Sequence, residues 1–283
     1  MFSNRPEARL KWTTDSLSRN LQTYRYEPIQ PYILRQFVRK FRPKYFFDIG
    51  ANIGYYSLLI AAEKNCSKIF SYEPMPRTFA ELKKNVECNN LSEEIVCHQL
   101  AISCLKGHST MDVIDETSGS NALASTAFHN TKIVRQEHVS TTTLDLMHDF
   151  KDSKIAMKID VEGHELEVIQ GAQKLLISNP AILQIEIHNR SSGSRDAMSL
   201  LQKLGYRSAF VAGPDKYLTN DDSIFECSAN IIEDAMDDFI TDFKIPLYVK
   251  SRFLPGIGIE LSPRLLKLIP SFMRPSFKRK LKH

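Results

Sequence analysis

Residues 44–54 read KYFFDIGANIG, a short apolar run that ends in a turn containing two glycines. A run of this length that stops at glycine is typical of a buried β-strand. Residues 56–64 (YSLLIAAEK) then predict a helix, and residues 68–73 (KIFSYE) predict a second strand. A strand, a tight turn, a helix and another strand make up the repeating unit of a parallel sheet covered by helices.

The same alternation continues along the chain with one interruption. A helix over 76–89 and a strand over 95–102 complete a β-α-β-α-β order, with a proline in the first turn of that helix. Residues 107–143 are rich in Ser, Thr and Asn and break the order, although strand-like fragments occur at 109–114 and 139–144. We therefore expect an insertion at this point.

The second half of the chain extends the sheet. Residues 155–160 (IAMKID) and 181–188 (AILQIEIH) predict two more buried strands, separated by a helix over 162–176. The remaining elements are predicted to close the sheet, and they are strands over 205–210 and 224–232 and an acidic helix over 233–243. The expected fold is α/β and Rossmann-like, with a doubly wound, mostly parallel sheet.

Charge divides the chain into two parts. The formal net charge of the 283 residues is +4, but residues 244–283 hold ten basic residues and one acidic residue, so the preceding part carries −5. We expect an N-terminal arm and helix over 1–43, a main domain over 44–243 and a basic, proline-containing extension over 244–283. Peripheral contact with an anionic membrane, nucleic acid and a solvated or packed extension are all open interpretations of that basic charge.

The class markers indicate a cytoplasmic protein. The five cysteines are odd in number and contain no C-x-x-C pair, which argues against a disulfide framework or a zinc ribbon and for a reducing compartment. The first residues, MFSNRPEARLKW, have no apolar core of a secretory signal. No stretch of about 18 apolar residues is present to span a bilayer, so membrane contact is expected only at the surface, through the basic extension.

The first strand-to-helix turn predicts a nucleoside site. Ligands of doubly wound sheets bind at the carboxyl ends of the strands, and Gly50 and Gly54 allow a tight turn there. Asn52 stands where the dinucleotide fingerprint requires its second glycine, which argues against a nicotinamide cofactor. Glu73, 25 residues after Asp48, can accept hydrogen bonds from both ribose hydroxyls. Together these residues favour S-adenosylmethionine, which has a ribose but no phosphate, over a simple helix-capping acid and a solvated strand end.

A second polar cluster is expected at the same edge of the sheet, at the ends of the strands 155–160 and 181–188. Asp160, Glu162 and His164 lie at the end of the first of these strands. Period-two alternation places Gln184, Glu186 and His188 on one face of the second. An acid or an imidazole here is a candidate general base for a substrate hydroxyl. A metal site would use the same residue types, but no familiar ligand spacing occurs, so none is predicted. Two structural interpretations stay open: Glu162 as an acid at a helix N-terminus, and each histidine as a residue of the framework.

The motifs resemble those of one family. The runs FFDIGANIGYYS, YEP, MKIDVEGHELEVIQGA and IEIH resemble the FkbM family of S-adenosylmethionine-dependent methyltransferases over about residues 44–190. The resemblance implies a class I methyltransferase fold with seven strands and methylation of oxygen atoms, often on sugars or polyketide-type hydroxyls. By position it implies two sets of site residues: Asp48, Gly50, Asn52, Gly54 and Glu73 for the cofactor, and Asp160, Glu162 and His188 for the substrate.

The leading hypothesis is therefore an O-methyltransferase acting on a hydroxyl of a sugar, glycan or other small molecule. An RNA or protein methyltransferase is the alternative among enzymes, and nucleic acid is disfavoured because the main domain is acidic and shows no aromatic-basic stacking motif. A catalytically inactive, cofactor-binding scaffold is the alternative from another class of protein. The sequence does not specify the oligomeric state.

Overall fold

The computed structural model describes residues 10–13, 29–113, 122–123, 135–187 and 192–242. Within these ranges the chain forms a seven-stranded sheet and a smaller four-stranded sheet. The basic extension over 244–283 lies outside the described residues, as does the expected boundary at its start. None of the helices in the described ranges combines the length and the apolar content that crossing a bilayer requires.

The large sheet confirms the expected doubly wound, mostly parallel arrangement. Its strands are β1 (Tyr45–Ile49), β2 (Lys68–Tyr72), β3 (Ile95–His98), β8 (Ile155–Ile159), β9 (Ala181–Glu186), β10 (Arg207–Ala212) and β11 (Asp215–Thr219). The order across the sheet is β3-β2-β1-β8-β9-β11-β10. In this sheet β11 runs antiparallel to both of its neighbours, β9 and β10, and the other pairs are parallel. This is the strand arrangement of the class I methyltransferase fold.

The small sheet accounts for the insertion over 107–143. It consists of β4 (Ala101–Ile102), β5 (Gly107–Val113), β6 (Ala122–Leu123) and β7 (Arg135–Thr142), in the order β4-β7-β5-β6. The two strand-like fragments predicted here are therefore confirmed. The single strand predicted over 95–102 is wrong in one respect, because its first part joins the large sheet as β3 and its last part joins the small sheet as β4.

Helices cover both faces of the large sheet. They are α1 (Gln30–Phe41), α2 (Tyr55–Ala62), α3 (Pro76–Cys88), α4 (Leu144–Met147), α5 (Glu165–Gln170), α6 (Gln173–Ile177), α7 (Ser192–Lys203) and α8 (Asp222–Asp242). One apolar cluster joins α1, α2, α3 and α8 to the sheet, and a second joins α5, α6 and α7 to the opposite face. The four central strands are buried on both faces, which explains their continuous apolar runs.

Two further predictions are corrected by the structure. Residues 224–232 form part of α8 rather than a strand, because Ile224, Ile231 and Phe239 lie on one helical face that is buried against α1. The closing strand next to β9 is β11, which the sequence analysis missed. The predicted helix over 162–176 is interrupted near Gly171, where a β-carbon would lie 2.0 Å from the carbonyl oxygen of Ser103.

Candidate active site

Two rows of side chains cross the same face of the large sheet near the carboxyl ends of its parallel strands. The inner row follows the strand register from β2 to β11 and consists of Ser71, Asp48, Lys158, Gln184 and Tyr217. All five are at most 3% exposed. Two positions nearer the carboxyl ends of the parallel strands, the outer row consists of Glu73, Gly50, Asp160, Glu186 and, on the antiparallel β11, Asp215. Asp48, Gly50 and Glu73, predicted for the cofactor, are therefore close to Asp160 and Glu186, predicted for catalysis.

The glycine turn is held tightly between β2 and β8. The N–H groups of Gly50 and Ala51 donate to the carbonyl oxygen of Tyr72 at 3.0 and 2.9 Å. Gly50 has a φ of 79°, and a β-carbon there would lie 1.9 Å from the carbonyl oxygen of Asp160. The turn therefore requires glycine for its backbone conformation and for its close approach to β8.

Glu73 ties the glycine turn to the start of α3. Its Oε2 atom accepts the backbone N–H of Asn52 at 3.0 Å, and its Oε1 atom accepts the backbone N–H of Met75 at 2.9 Å. The residue is 7% exposed, so the carboxylate is fixed within the sheet edge. Each carboxylate oxygen has two lone pairs, which leaves acceptor capacity for hydroxyl groups of a bound ribose.

Asp48 has a structural contact beneath the turn. Its Oδ2 atom accepts the backbone N–H of Ser57 at 2.9 Å and the hydroxyl of Ser57 at 2.5 Å. The hydroxyl of Ser57 also lies 2.7 Å from that of Ser71. Burial raises the pKa of Asp48, although Lys158 and the Ser57 hydrogen bonds oppose that rise. This geometry matches the helix-capping interpretation, because Asp48 fixes α2 against β1 and so positions the turn between them.

The acceptor side contains a hydrogen-bonded pair of carboxyl groups. Glu186 shares a hydrogen bond with Asp160, and the Nζ atom of Lys158 lies 2.8 Å from Oδ2 of Asp160. Burial is the largest cause that raises the pKa of Glu186 to about 10, and the negative charge of Asp160 adds to it. Because Lys158 contacts Asp160, its charge favours the ionised form of Asp160, so Glu186 is the carboxyl group that holds the shared proton.

Two more carboxyl groups flank this pair. Burial, followed by the charges of Asp160 and Glu165, raises the pKa of Glu162 to about 7. Burial also raises the pKa of Glu165 to about 7, although its Oε1 atom accepts the N–H of Gly163 at 2.9 Å. A carboxyl group with a pKa near 7 suits general base catalysis at neutral pH. Glu162 also has a φ of 51°, an unusual conformation for a residue other than glycine.

The structure turns His164 away from the carboxyl pair. Its Nε2 atom lies 2.9 Å from the hydroxyl of Ser103, which follows β4, and its Nδ1 atom lies 3.3 Å from the carboxylate of Glu167. Burial lowers the pKa of His164. This imidazole links the end of β8 to the small sheet. His188, the other predicted imidazole, lies outside the described residues.

The sequence analysis missed two residues of the site. Lys158 lies at the centre of the inner row, and its Nζ atom is 4.6 Å from the centre of the Tyr56 ring. Asp215 accepts the side-chain amide of Gln184 at 2.9 Å and that of Gln30 at 3.4 Å. Lys158 had a visible signal, a lone charge within the apolar run IAMKID, whereas Asp215 lies on the strand that was not recognised.

The described part of the site contains one unsatisfied acceptor and no metal-binding group. Gln184 is completely buried, and its Oε1 atom has no hydrogen-bond partner among the described residues. In the same part of the chain, no three His, Cys, Asp or Glu side chains are arranged to hold a metal ion. The described polar groups of this surface are suited to hydrogen bonding and proton transfer.

Residues 48–208 match the model of the methyltransferase FkbM domain. The chain belongs to the FkbM methyltransferase family. The matched region starts at Asp48 in β1 and ends in β10, so it includes most of both rows of the site and the small sheet. Membership of this family confirms the resemblance drawn from the motifs and makes the protein a methyltransferase.

Two curated relatives are similar to the FkbM domain of this chain. Methyltransferase 1 of Beauveria bassiana (strain ARSEF 2860) is 27% identical over 191 residues, which cover 59% of this chain and 74% of that protein. The hexuronic acid methyltransferase AglP of Haloferax volcanii is 27% identical over 144 residues, or 50% of this chain. The match spans only 55% of the length of AglP.

Solved structures of methyltransferases are similar to this chain at low identity. The FkbM methyltransferase from Methylobacillus flagellatus KT is 18% identical with a TM-score of 0.42, and the match covers 63% of this chain and 43% of that one. An O-methyltransferase from Bacillus cereus in complex with SAH is 14% identical with a TM-score of 0.44, and the match covers 72% and 85% of the two chains.

Proposed function

We propose that this FkbM methyltransferase transfers the methyl group of S-adenosylmethionine to a hydroxyl oxygen of a sugar, a glycan or another small molecule. The observation that carries the proposal is the position of the Glu73 carboxylate. It is fixed by the N–H groups of Asn52 and Met75 at the end of β2, beside the glycine turn. A buried carboxylate at this place in a doubly wound sheet is suited to the hydroxyls of a ribose.

The residues of the turn fit this cofactor. The missing side chain at Gly50 lets the backbone pass close to β8, so the loop forms a shallow cradle at the strand ends. Asn52 has a φ of 50° and donates its N–H to Glu73, which fixes the loop. Gly50, Asn52, Gly54 and Glu73 would hold the nucleoside end of the cofactor, while Asp48 supports the turn from below.

The carboxyl groups of the outer row would act on the acceptor. When bound, S-adenosylmethionine supplies an electrophilic methyl group on a sulfonium sulfur, and this sulfur is a good leaving group because it becomes a neutral thioether. A hydroxyl oxygen is a better nucleophile when its proton passes to a neighbouring base. Asp160 and Glu162 are the candidates for this base, because Asp160 contacts the Lys158 ammonium at 2.8 Å and the pKa of Glu162 is raised to about 7. Glu186 would keep its proton and donate it to Asp160 as a hydrogen bond.

The acceptor class is supported by two considerations. The relative AglP is named as a hexuronic acid methyltransferase, which makes a sugar the first acceptor to test. A basic extension over 244–283 would suit a substrate presented at an anionic membrane surface.

Calorimetry with S-adenosylmethionine and with its demethylated product tests the cofactor. We expect both to bind the wild-type protein, and Glu73→Ala to weaken binding by about 1–3 kcal/mol, because ribose hydroxyls would lose a buried acceptor. Glu87→Ala is the matched control, since Glu87 is an exposed acid on the neighbouring helix α3. Failure of the wild type to bind would refute the proposal, and equal binding by Glu73→Ala would refute the ribose role.

The acceptor is tested by transfer of a labelled methyl group. Neutral sugars, hexuronates, lipid-linked glycans, RNA and a protein mixture would be offered separately to the wild-type protein. We expect label on a sugar or small-molecule hydroxyl, in a linkage that resists mild alkaline hydrolysis as an ether does and an ester does not. Label on RNA or protein alone would favour the alternative enzyme, and cofactor binding without any transfer would favour a scaffold.

A further inference from the structure

Two buried cations occur in the described part of the chain, apart from histidines, and only one is explained by the fold. Arg35 is 5% exposed and forms an ion pair with Glu63 at 2.5 Å, which joins α1 to the end of α2. Lys158 is 3% exposed and lies in the middle of β8, where every other residue of the strand is apolar. Burying an ammonium group costs several kcal/mol unless nearby groups compensate for it.

The contacts of Lys158 place its charge beneath the acceptor side of the site. The Nζ atom lies 2.8 Å from Oδ2 of Asp160 and 4.6 Å from the centre of the Tyr56 ring. In the register of the sheet, Lys158 is flanked by Asp48 on β1 and by Gln184 on β9. An apolar side chain would fill this position without the cost of desolvation, so the charge itself is the informative feature.

The carboxyl pair above Lys158 is asymmetric. Glu186 shares a hydrogen bond with Asp160, and a proton must lie between two carboxyl groups for that bond to exist. Lys158 contacts Asp160 at hydrogen-bond distance. Its charge therefore stabilises the ionised form of Asp160, while the shared proton belongs to Glu186.

We propose that Lys158 is a positioning residue for methyl transfer. Its ammonium group keeps Asp160 ionised beside protonated Glu186, so that the carboxylate of Asp160 receives the proton of the acceptor hydroxyl. The proposal rests on the proposed function. In the step, the O–H bond of the acceptor breaks and its proton joins Asp160, while the oxygen forms a bond to the methyl carbon. The carbon–sulfur bond breaks and its electron pair stays on sulfur, so charge and atoms balance.

The pH dependence of this step involves every titratable group that faces Lys158. The facing groups come from six parts of the fold: Asp160 at the end of β8, Asp48 on β1, Glu186 on β9, Asp215 on β11, Glu162 on the loop after β8, and Tyr56 on α2. Lys158 lowers the pKa of Asp48, Glu162, Glu186 and Asp215, against the opposing effect of burial. Removing the ammonium therefore makes each carboxyl group harder to ionise.

The test compares Lys158→Met with Lys154→Met. Lys154 is exposed just before β8, and its Nζ atom also lies over an aromatic ring, that of Phe41 at 5.1 Å, so this control removes a similar contact away from the site. The pH profile of kcat/KM would be measured for both variants, with calorimetry of S-adenosylmethionine at the same pH. For Lys158→Met we expect the acid limb to move up by about one pH unit or more and kcat to fall about 10-fold or more.

The same experiment distinguishes failure of the role of Lys158 from failure of the proposed function. We expect cofactor affinity in Lys158→Met to stay within about threefold of wild type, since the turn and Glu73 are unchanged. An unmoved acid limb in Lys158→Met, or an equal shift in Lys154→Met, overturns the role of Lys158 while the proposed function stands. Absence of S-adenosylmethionine binding by the wild type overturns the proposed function, and the role of Lys158 with it.

A second variant and a second measurement guard against misfolding. Lys158→Gln keeps a hydrogen-bond donor near Asp160 but removes the charge. Thermal unfolding from pH 6 to pH 9 needs no activity, and both Lys158 variants are expected to lose stability more steeply than wild type as pH rises, because the buried carboxyl groups must ionise without a nearby cation. Parallel curves for wild type and Lys158→Gln would refute the electrostatic role.

Discussion

Gly50 lies against the carbonyl oxygen of Asp160, so closely that a β-carbon on Gly50 would be 1.9 Å from that oxygen. The two residues follow the adjacent strands β1 and β8. Gly50 is the first residue of the turn that we assign to the cofactor, and Asp160 carries the charged carboxylate on the acceptor side. This contact fixes the distance between the two halves of the site, so its geometry affects both binding and transfer.

Replacing Gly50 tests this contact. We expect Gly50→Ala to lower the free energy of unfolding by at least about 2 kcal/mol more than Gly205→Ala does, because the added methyl group must displace the backbone of β8. Gly205 is a matched control, since it has a φ of 89° but none of the described residues lies within 4 Å of its added β-carbon. Urea unfolding measures both variants. Equal losses would show that backbone conformation, rather than the contact with Asp160, requires glycine at position 50.

Glu165 gives the protein a pH-dependent stability. Burial raises the pKa of Glu165 from 4.5 to about 7, so the folded state binds a proton that the unfolded state releases in this range. The stability contributed by that proton is complete below about pH 4.5 and is lost as the pH rises through about 7. We expect Glu165→Gln to gain roughly 1–3 kcal/mol over wild type between pH 5 and pH 8, because Gln stays neutral and can still accept the N–H of Gly163.

Thermal unfolding at a series of pH values checks this expectation. Glu94→Gln serves as the control, since Glu94 is exposed on the loop before β3. If the unfolding temperature changes with pH by the same slope in wild type and in Glu165→Gln, the raised pKa does not belong to Glu165.

His148 makes stability depend on pH in the opposite direction to Glu165, because its contribution to stability is lost as the pH falls. It lies 2.6 Å from the hydroxyl of Tyr72 and packs against the rings of Phe70 and Phe150. Burial is the main cause that lowers the pKa of His148 to about 4. The folded state therefore favours the neutral ring, and this contribution is present above about pH 6.5 and is lost as the pH falls through about 4.

We expect His148→Gln to lose less stability than wild type as the pH falls from 6.5 to 4, because Gln does not titrate and can accept the hydrogen bond of the Tyr72 hydroxyl. Proton NMR of the His148 ring in the wild type should show no titration above about pH 5. His138→Gln is the control, since His138 is exposed on β7. A His148 ring that titrates near pH 6.5 would contradict the structure.

The central sheet and the cofactor turn were predictable because they depend on residues that are close together in the sequence. Strands β1, β2, β8 and β9 are largely buried on both faces and read as mostly apolar runs, and each run ends at or just before a polar residue or a glycine. The motif from Asp48 to Gly54 also stands at the end of such a strand, so its position in the sheet followed from the general rule for doubly wound folds.

The missed features depend on contacts between residues distant in sequence. Strand β11 reads DKYLT, and its polar ends are buried only because Asp215 accepts from Gln184 and the hydroxyl of Thr219 donates to the carbonyl oxygen of Ala181. The pair of Asp160 and Glu186 likewise requires the register of β8 against β9. The orientation of His164 depends on Ser103, which lies 61 residues earlier in the chain.

A chain of hydrogen bonds connects the N-terminal residues to the glycine turn. Thr13 donates its backbone N–H to Oδ1 of Asn85 at 3.1 Å, and Nδ2 of Asn85 donates to the carbonyl oxygen of Ile53 at 2.9 Å. Asn85 is fully buried on α3. Trp12, the only tryptophan of the chain, stacks on Tyr55 with 6.1 Å between the ring centres. The segment 10–13 is thus attached beside the cofactor turn and carries its own fluorescent probe.

Asn85→Ala should disturb both ends of this chain of hydrogen bonds, because it removes the acceptor of the Thr13 N–H and the donor to the buried carbonyl oxygen of Ile53. We expect a loss of about 1–3 kcal/mol in the free energy of unfolding, a red shift of Trp12 emission, and weaker binding of S-adenosylmethionine. Asn89→Ala is the discriminating control, since among the described residues Asn89 binds the N–H and carbonyl of Lys11 at 2.8 and 2.7 Å and groups of its own helix. That variant should shift the emission of Trp12 but leave cofactor affinity unchanged. Equal cofactor affinity in the two variants would show that Asn85 does not support the turn.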